Sequence, residues 1–294
     1  MKYQIRHRTF YRYEEAVTLS QNQLRLTPME NSKQTLLSFQ LHITPEPDHI
    51  WHKTDYFGAK LHGFDLQVSH SMLEVVALSE VLVNTDFNQT FTSSLPWEQV
   101  VQQIQNPVSP EQIKASEFIL PSPYIKLHTE IKHYMLRFFT NNKPLTACIK
   151  DLMQAFYQDF TYESGATSLD TPLTEVLVKR KGVCQDFAHF CISGLRSLGL
   201  ACRYVSGYLE TLPPPGAPKL AGADASHAWC SVYCPNAGWI DFDPTNNLFP
   251  THQHITVAIG RDFADVSPLK GILHGGGRSH LQVAVDVNRE LELP

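Results

Sequence analysis

Three short motifs stand out by residue type. Gly182-Val183-Cys184-Gln185-Asp186-Phe187-Ala188 sets a cysteine behind a glycine. The cysteine heads a run in which Phe187, Ala188, Cys191, Leu195 and Leu198 recur at helical spacing. Ser226-His227-Ala228-Trp229 and Gly238-Trp239-Ile240-Asp241-Phe242-Asp243-Pro244-Thr245 follow downstream. A thiol, an imidazole and a carboxylate are the parts of nucleophilic cysteine chemistry. A thiol attacks only as thiolate. A helix N-terminus favours that negative charge, and a neighbouring imidazole can take the proton. Cys184 is therefore the expected nucleophile and His227 the expected acid/base. Asp243 is expected to accept the second imidazole N–H, which fixes tautomer and ring orientation. Asp241 has the same strand parity and is the alternative.

The spacing makes the idea geometrically specific. Residues 227–233 and 237–243 read as two strands joined at Cys234-Pro235-Asn236. If His227 faces Asp243, the hairpin centre falls on Pro235, inside that turn. Trp229 would then face Asp241, and Ser231 would face Trp239. Cys184 by itself reads as a core residue, because it continues the apolar stripe of its own helix. The two downstream motifs reverse that reading. Acyl chemistry also requires donors for an oxyanion. The backbone N–H of Cys184 is one candidate. Tyr162, in the loop before the helix, is a second candidate, with a buried packing role as its plain alternative.

These side chains need a frame. In the first hundred residues, Tyr3, Ile5, His7, Thr9 and Tyr11 alternate with polar neighbours, as do Leu37, Phe39, Leu41 and Ile43. Phe64, Leu66 and Val68 repeat the pattern, and so do Leu73, Val75 and Ala77. Period two over short runs predicts an antiparallel, sandwich-like β domain over residues 1–108. Pro107, Pro110, Pro121 and Pro123 suggest a linker or domain boundary. The period then becomes helical, through Ile131, Met135 and Phe138 and again through Leu145, Ile149, Leu152 and Phe156. Thr171-Pro172 reads as a capped helix start. The helix from Cys184 should end at Gly199. A strand near 203–209, a Pro/Gly-rich loop over 212–224 and the hairpin come next. Strands through Ile255-Val257-Ile259 and Leu281-Val283-Val285-Val287 close the chain, with Gly275-Gly276-Gly277 as a turn. The expected class is α+β, with a second, catalytic domain over 109–294 that includes the C-terminal strands from 254.

Bulk properties narrow the function classes. The net charge of −5 and the lack of a polybasic run argue against nucleic acid and anionic membranes as partners. The first residues alternate polar and apolar and lack the apolar centre of a signal peptide. No apolar run is long enough to span a bilayer. A cytoplasmic protein with six reduced cysteines is expected. Cys230, Cys234 and His227 lack the paired spacing of a zinc site, so neither metal nor cofactor is expected. His189 reads as a packing residue. His252, His254, His274 and His280 read as loop histidines without partners.

Taken together, the motifs around Cys184, His227 and Asp243 resemble the transglutaminase-like superfamily. The similarity is closest to a bacterial and archaeal branch described as cysteine proteases, with a β-rich N-terminal region like Tyr3 through Pro28. Ala258-Ile259-Gly260-Arg261-Asp262-Phe263-Ala264-Asp265-Val266-Ser267-Pro268 also looks like that branch. The resemblance implies a papain-like α+β fold, with the cysteine on a helix packed against a sheet bearing the histidine and aspartate. It implies Cys184 as nucleophile, His227 as acid/base and Asp243 as orienting carboxylate, the last because it stands four positions after Trp239. Animal cross-linking members follow their cysteine with tryptophan, where this chain has Gln185, and they use calcium, for which no EF-hand loop is present. The expected activity is hydrolysis of an amide bond in a peptide or protein through a thioester. Acyl transfer to an amine is the alternative, and a non-catalytic binding module with a vestigial triad is the third possibility.

Overall fold

Alternation of apolar and polar residues opens β1 (Lys2–Leu24), breaks around Glu14-Glu15-Ala16 where the pairing register shifts, and shapes β2 (Gln34–Thr44), β3 (His49–Thr54), β4 (Lys60–Leu66) and β5 (His70–Val83). The computed structural model describes residues 1–85, 94–211 and 225–290. Beyond β5 come α1 (Trp97–Gln105), α2 (Pro110–Ser116), α3 (Thr129–Leu136) and α4 (Leu145–Asp159). A short strap follows: β6 (Thr161–Tyr162), α5 (Leu173–Lys179) and β7 (Lys181–Gly182). It leads into α6 (Cys184–Ser197), then β8 (Cys202–Leu209), β9 (Ala225–Cys234), β10 (Gly238–Phe242) and β11 (His254–Gly260). The chain closes with α7 (Phe263–Val266), β12 (Leu269–Gly275) and β13 (Ser279–Arg289). The fold is α+β.

β1 organises the first sheet. Its first half pairs with β5 on one side and β13 on the other, and its second half pairs with β4 and β12. β2 extends β5 and β3 extends β4, giving one seven-stranded antiparallel sheet. The halves share a core. Leu24, Phe64 and Leu66 pack with Leu73, Val75 and Ala77, and Phe39 of β2 stacks on His62 of β4 at 5.2 Å. This is the expected sandwich-like arrangement, made from one continuous sheet. The C-terminal strands divide differently from the sequence expectation. β11 joins the second sheet, but β12 and β13 return to β1. Hydrophobic period alone cannot say which sheet a strand will join.

The second sheet is antiparallel, in the order β10-β9-β8-β11. Ala228, Cys230 and Val232 of β9 face the core shared with Phe187, Ala188, Cys191 and Leu195 of α6. Aromatic packing holds α6 from its other side: Phe156 and Phe160 stack at 4.0 Å, and Phe187 and Phe190 lie against Phe156 at 5.1 and 5.5 Å. The proline-rich stretch expected as a linker or domain boundary carries α2 at its centre. Ser109 caps α2 by accepting the Gln112 N–H at 3.2 Å, while Gln112 Oε1 accepts the Ser109 N–H at 3.3 Å. Val100 and Ile104 of α1 lie in the same core as α6, so the helical unit starts before residue 108. The first helical residue of α5 is Leu173, with Pro172 at the N-cap in an extended conformation. The Thr171 hydroxyl instead accepts the Ser168 N–H at 2.9 Å.

The two sheets share a small core of Tyr3, Ile5, Val81, Val83, Val285 and Val287 against Tyr208, Ile255 and Val257. Polar clamps add direction. The Gln34 side chain donates to the Thr256 carbonyl at 2.8 Å and accepts the Thr256 N–H at 2.8 Å. It thereby completes the edge of β11 as a neighbouring strand would. Lys33 pairs with Asp241 at 2.6 Å on β10, at the opposite edge. The segment after β1 thus reaches both edges of the second sheet.

Candidate active site

The helix that carries Cys184 is built to begin where it does. Asp186 Oδ2 accepts the Val183 N–H at 2.8 Å and the Thr167 hydroxyl at 2.5 Å. The first of these satisfies a donor that the helix start leaves unpaired. A Cβ at position 182 would stand 2.9 Å from Asp186 Oδ2, so glycine is the residue that lets this carboxylate close over the turn. Cys184 is the first residue of α6, where unpaired N–H groups favour negative charge. It is also the one cysteine of six that is not buried, and all six are free. The β6–β7 strap, with Tyr162 paired to Gly182, lies beside it.

His227 and Asp243 meet, although in another register than the spacing suggested. Trp239 pairs with Tyr233 and Asp241 with Ser231, so the hairpin is centred on Asn236. Moving the centre by one residue moves every cross-strand pair by two. Parity survives such a shift, and His227 and Asp243 keep their common face. Asp243 lies just beyond β10, in a bridge with Leu248. His227 Nε2 stands 2.8 Å from Asp243 Oδ2. On β8, Gly207 lies opposite His227. A Cβ there would come within 2.1 Å of the Ile255 carbonyl oxygen and 2.6 Å of the Trp229 ring. Asp241, the alternative carboxylate, is engaged by Lys33 instead.

Burial, hydrogen bonding and charge set the protonation of this group. Burial disfavours the imidazolium of His227, but hydrogen bonds to Asp243 and to Cys184, with the charges of both, outweigh it and raise the pKa to about 10. With Nε2 committed to Asp243, Nδ1 is the atom left for Cys184. Burial alone would raise the Asp243 carboxyl. The bonds and charges of His227 and His254 more than reverse this and hold it well below the ordinary carboxylate range. Tyr162 is 53% exposed, not the buried aromatic that was its plain alternative. Partial burial and the charge of Cys184 raise its pKa.

Two residues complete the surroundings of Asp243 that sequence reasoning missed. Asn246 Nδ2 donates to Oδ2 at 2.7 Å. His254 Nε2 lies 3.1 Å from the same oxygen. Oδ1 accepts the backbone N–H groups of Thr245 at 2.9 Å and Asn246 at 3.2 Å. Asn246 carried a signal, since it stands in the Asp243 motif three residues on. His254 carried none, because only topology brings the start of β11 to the end of β10. Trp229 packs beside both imidazoles, with its ring 6.1 Å from His227 and 5.2 Å from His254, and the two imidazoles lie 5.9 Å apart. His189 is a packing residue, as expected. It stacks on Tyr124 at 5.7 Å, and its Nε2 accepts the Phe263 N–H at 3.2 Å.

Among the described residues, His227, Asp243 and His254 form a group whose possible ligand atoms lie within 4.8 Å of one another. Both imidazole Nε2 atoms are engaged with Asp243 Oδ2, so hydrogen bonding already accounts for the cluster. Cys230 and Cys234, which the sequence set beside His227, direct their thiols elsewhere: to the Ala188 carbonyl at 3.4 Å and to Asn236 Oδ1 at 3.0 Å.

Comparison with known proteins agrees with this architecture. Residues 3–82 match the bacterial transglutaminase-like N-terminal region, and residues 132–244 match the transglutaminase-like superfamily core. The chain belongs to the transglutaminase-like superfamily. An uncharacterized protein of Mycobacterium tuberculosis is 37% identical over 294 residues, covering 97% of this chain and 92% of the relative. A protein-glutamine gamma-glutamyltransferase of Pseudomonas aeruginosa is 31% identical over 134 residues, covering 40% of this chain and 20% of that protein. The fold also matches the crystal structure of a "Putative Cysteine Protease" from Cytophaga hutchinsonii, with a TM-score of 0.76 at 20% identity, over 100% of this chain and 92% of the other. No helix among the described residues is long and apolar enough to cross a membrane.

Proposed function

We propose that this protein is a thiol-dependent hydrolase of amide bonds in peptides or proteins. The observation that carries the reading is the placement of Cys184. It is the least buried thiol and the first residue of α6, and it lies close enough to His227 for the two to act on each other's charge, while His227 Nε2 is held by a buried carboxylate. His227 takes the thiol proton, and the Cys184 thiolate attacks the amide carbonyl. The tetrahedral oxyanion forms beside the unpaired N–H groups at the start of α6, with the Tyr162 hydroxyl as a second donor. The imidazolium protonates the leaving amine as the C–N bond breaks, leaving a thioester. Water, deprotonated by His227, then attacks the thioester and releases the acid and the thiol. Asp243 orients the ring throughout. The six free cysteines support a reducing, cytoplasmic setting.

Acyl transfer to an amine is the second reading. It is favoured by the likeness over part of the chain to a protein-glutamine gamma-glutamyltransferase. Both readings share the thioester and differ in the second nucleophile. The Pro-rich loop 212–224, expected to shape the cleft, lies outside the described residues.

Two measurements test this. Iodoacetamide near neutral pH should alkylate Cys184 far faster than an ordinary thiol, and His227→Ala should slow it by at least tenfold. Ordinary reactivity indifferent to His227 would instead mark a binding module. A glutamine peptide, offered with and without a labelled amine, then separates the two enzymatic readings. Acid released regardless of the amine indicates hydrolysis, whereas incorporated label indicates transfer.

A further inference from the structure

We propose that His254 is a positioning residue that holds the Asp243 carboxylate in the orientation His227 uses; this rests on the Cys-His-Asp reading above. Three side-chain donors converge on Asp243 Oδ2: His227 Nε2 at 2.8 Å, His254 Nε2 at 3.1 Å and Asn246 Nδ2 at 2.7 Å. The two backbone donors on Oδ1 are local, two and three residues along the chain. They fix one oxygen but leave the direction of the other to the side chains. Asn246 is local too. His254 is the fixed point from outside the loop, for it begins β11 at the opposite edge of the sheet from β10.

Its own placement is rigid. Two residues on, Gln34 clamps both polar groups of the Thr256 backbone, and the Trp229 ring packs edge-on against the imidazole. The bond to Asp243 puts the proton on Nε2 and the lone pair on Nδ1. That Nδ1 is buried with no hydrogen-bond partner. A buried nitrogen left unpaired costs stability, so an apolar ring would pack here at less expense. What histidine adds is the Nε2–H aimed at Asp243. Among the described residues, the other ionisable groups acting on this carboxylate are His227 and the buried thiols of Cys191 and Cys230. None of these can replace a donor aimed from β11.

The test follows Cys184 alkylation by iodoacetamide against pH in wild type, His254→Phe, His254→Gln and His227→Ala. Phenylalanine keeps the ring and loses the donor, whereas glutamine places an amide N–H near where Nε2–H stood. The expected result is a ~10–100-fold slower reaction near pH 7 for His254→Phe, with its low-pH limb moved upward, and recovery of most of the rate in His254→Gln. Equal rates and limbs in the two His254 variants would overturn the proposal. If His227→Ala slows alkylation and His254→Phe does not, the role of His254 alone is lost. If His227→Ala changes nothing, the triad reading falls, and this proposal with it. Should His254→Phe fail to fold, nitrogen-15 histidine spectra of the wild type decide. They should show His254 protonated at Nε2 and not at Nδ1, with the Nε2 proton shifting when Cys184 is alkylated. An Nδ1-protonated tautomer, or a resonance indifferent to Cys184, would overturn the idea.

Discussion

His227 and His189 are both buried histidines, and their surroundings send their proton affinities in opposite directions. His227 is raised to about 10 by its partners, so its contribution to stability is complete below the unfolded value near 6.5 and is lost as pH rises through 10. The stability gap between wild type and His227→Gln, measured by urea unfolding, should therefore be widest near pH 6 and close toward pH 10. His189 and His7 are each lowered to about 4, by burial above all. The folded state refuses protons there that the unfolded chain accepts. Stability should fall from pH 6.5 toward 4, by roughly 1.4 kcal/mol per pH unit for each histidine. A His7→Gln, His189→Gln double variant should show a shallower fall in the same titration. At this scale much of the site is legible in the sequence. Cys184, His227 and Asp243 announce themselves because each sits in a motif of constrained local shape. His254 is silent because its partner lies across the whole sheet.

The element scale shows why parity is a sturdier guide than register. The turn at 235–237 is centred on Asn236, one residue later than the expected Pro235, and the named cross-strand pairs change accordingly. The face shared by His227 and Asp243 does not change, because a shift of two residues returns each side chain to the same side. Helices in proline-rich sequence are harder to read. Pro110 opens α2 instead of breaking it, and β12 escapes notice because Leu269-Lys270-Gly271-Ile272-Leu273 has no clean alternation. Close approach of elements leaves a clearer trace. Gly207 admits the Trp229 ring and the β11 backbone, and a methyl group there must push β8 from β11. Gly207→Ala should cost about 3 kcal/mol or more, read as a lowered urea midpoint. Pushing β11 aside would also move His254, so iodoacetamide reactivity at Cys184 should fall in the fraction that remains folded.

Across the whole molecule, the N-terminal sheet acts as a brace for the second one. Gln34 bonds both backbone groups of Thr256 on the edge of β11, the carbonyl being shared with the Met29 N–H, and Lys33 neutralises Asp241 at the far edge. Gln34→Leu should leave the Thr256 N–H without a partner, while the Thr256 carbonyl keeps the Met29 N–H at 3.0 Å, and lower stability by about 1–3 kcal/mol. Thermal melts would measure this, with an unchanged melting temperature as the contrary result. The continuity of β1 carries a different consequence. Tyr3 takes Val81 on one flank and Arg289 on the other. A ribosome delivers the first of these neighbours early and the second only after everything between has been made. β1 must therefore stand with one side bare until β13 is made, and β13 is the strand that shuts it.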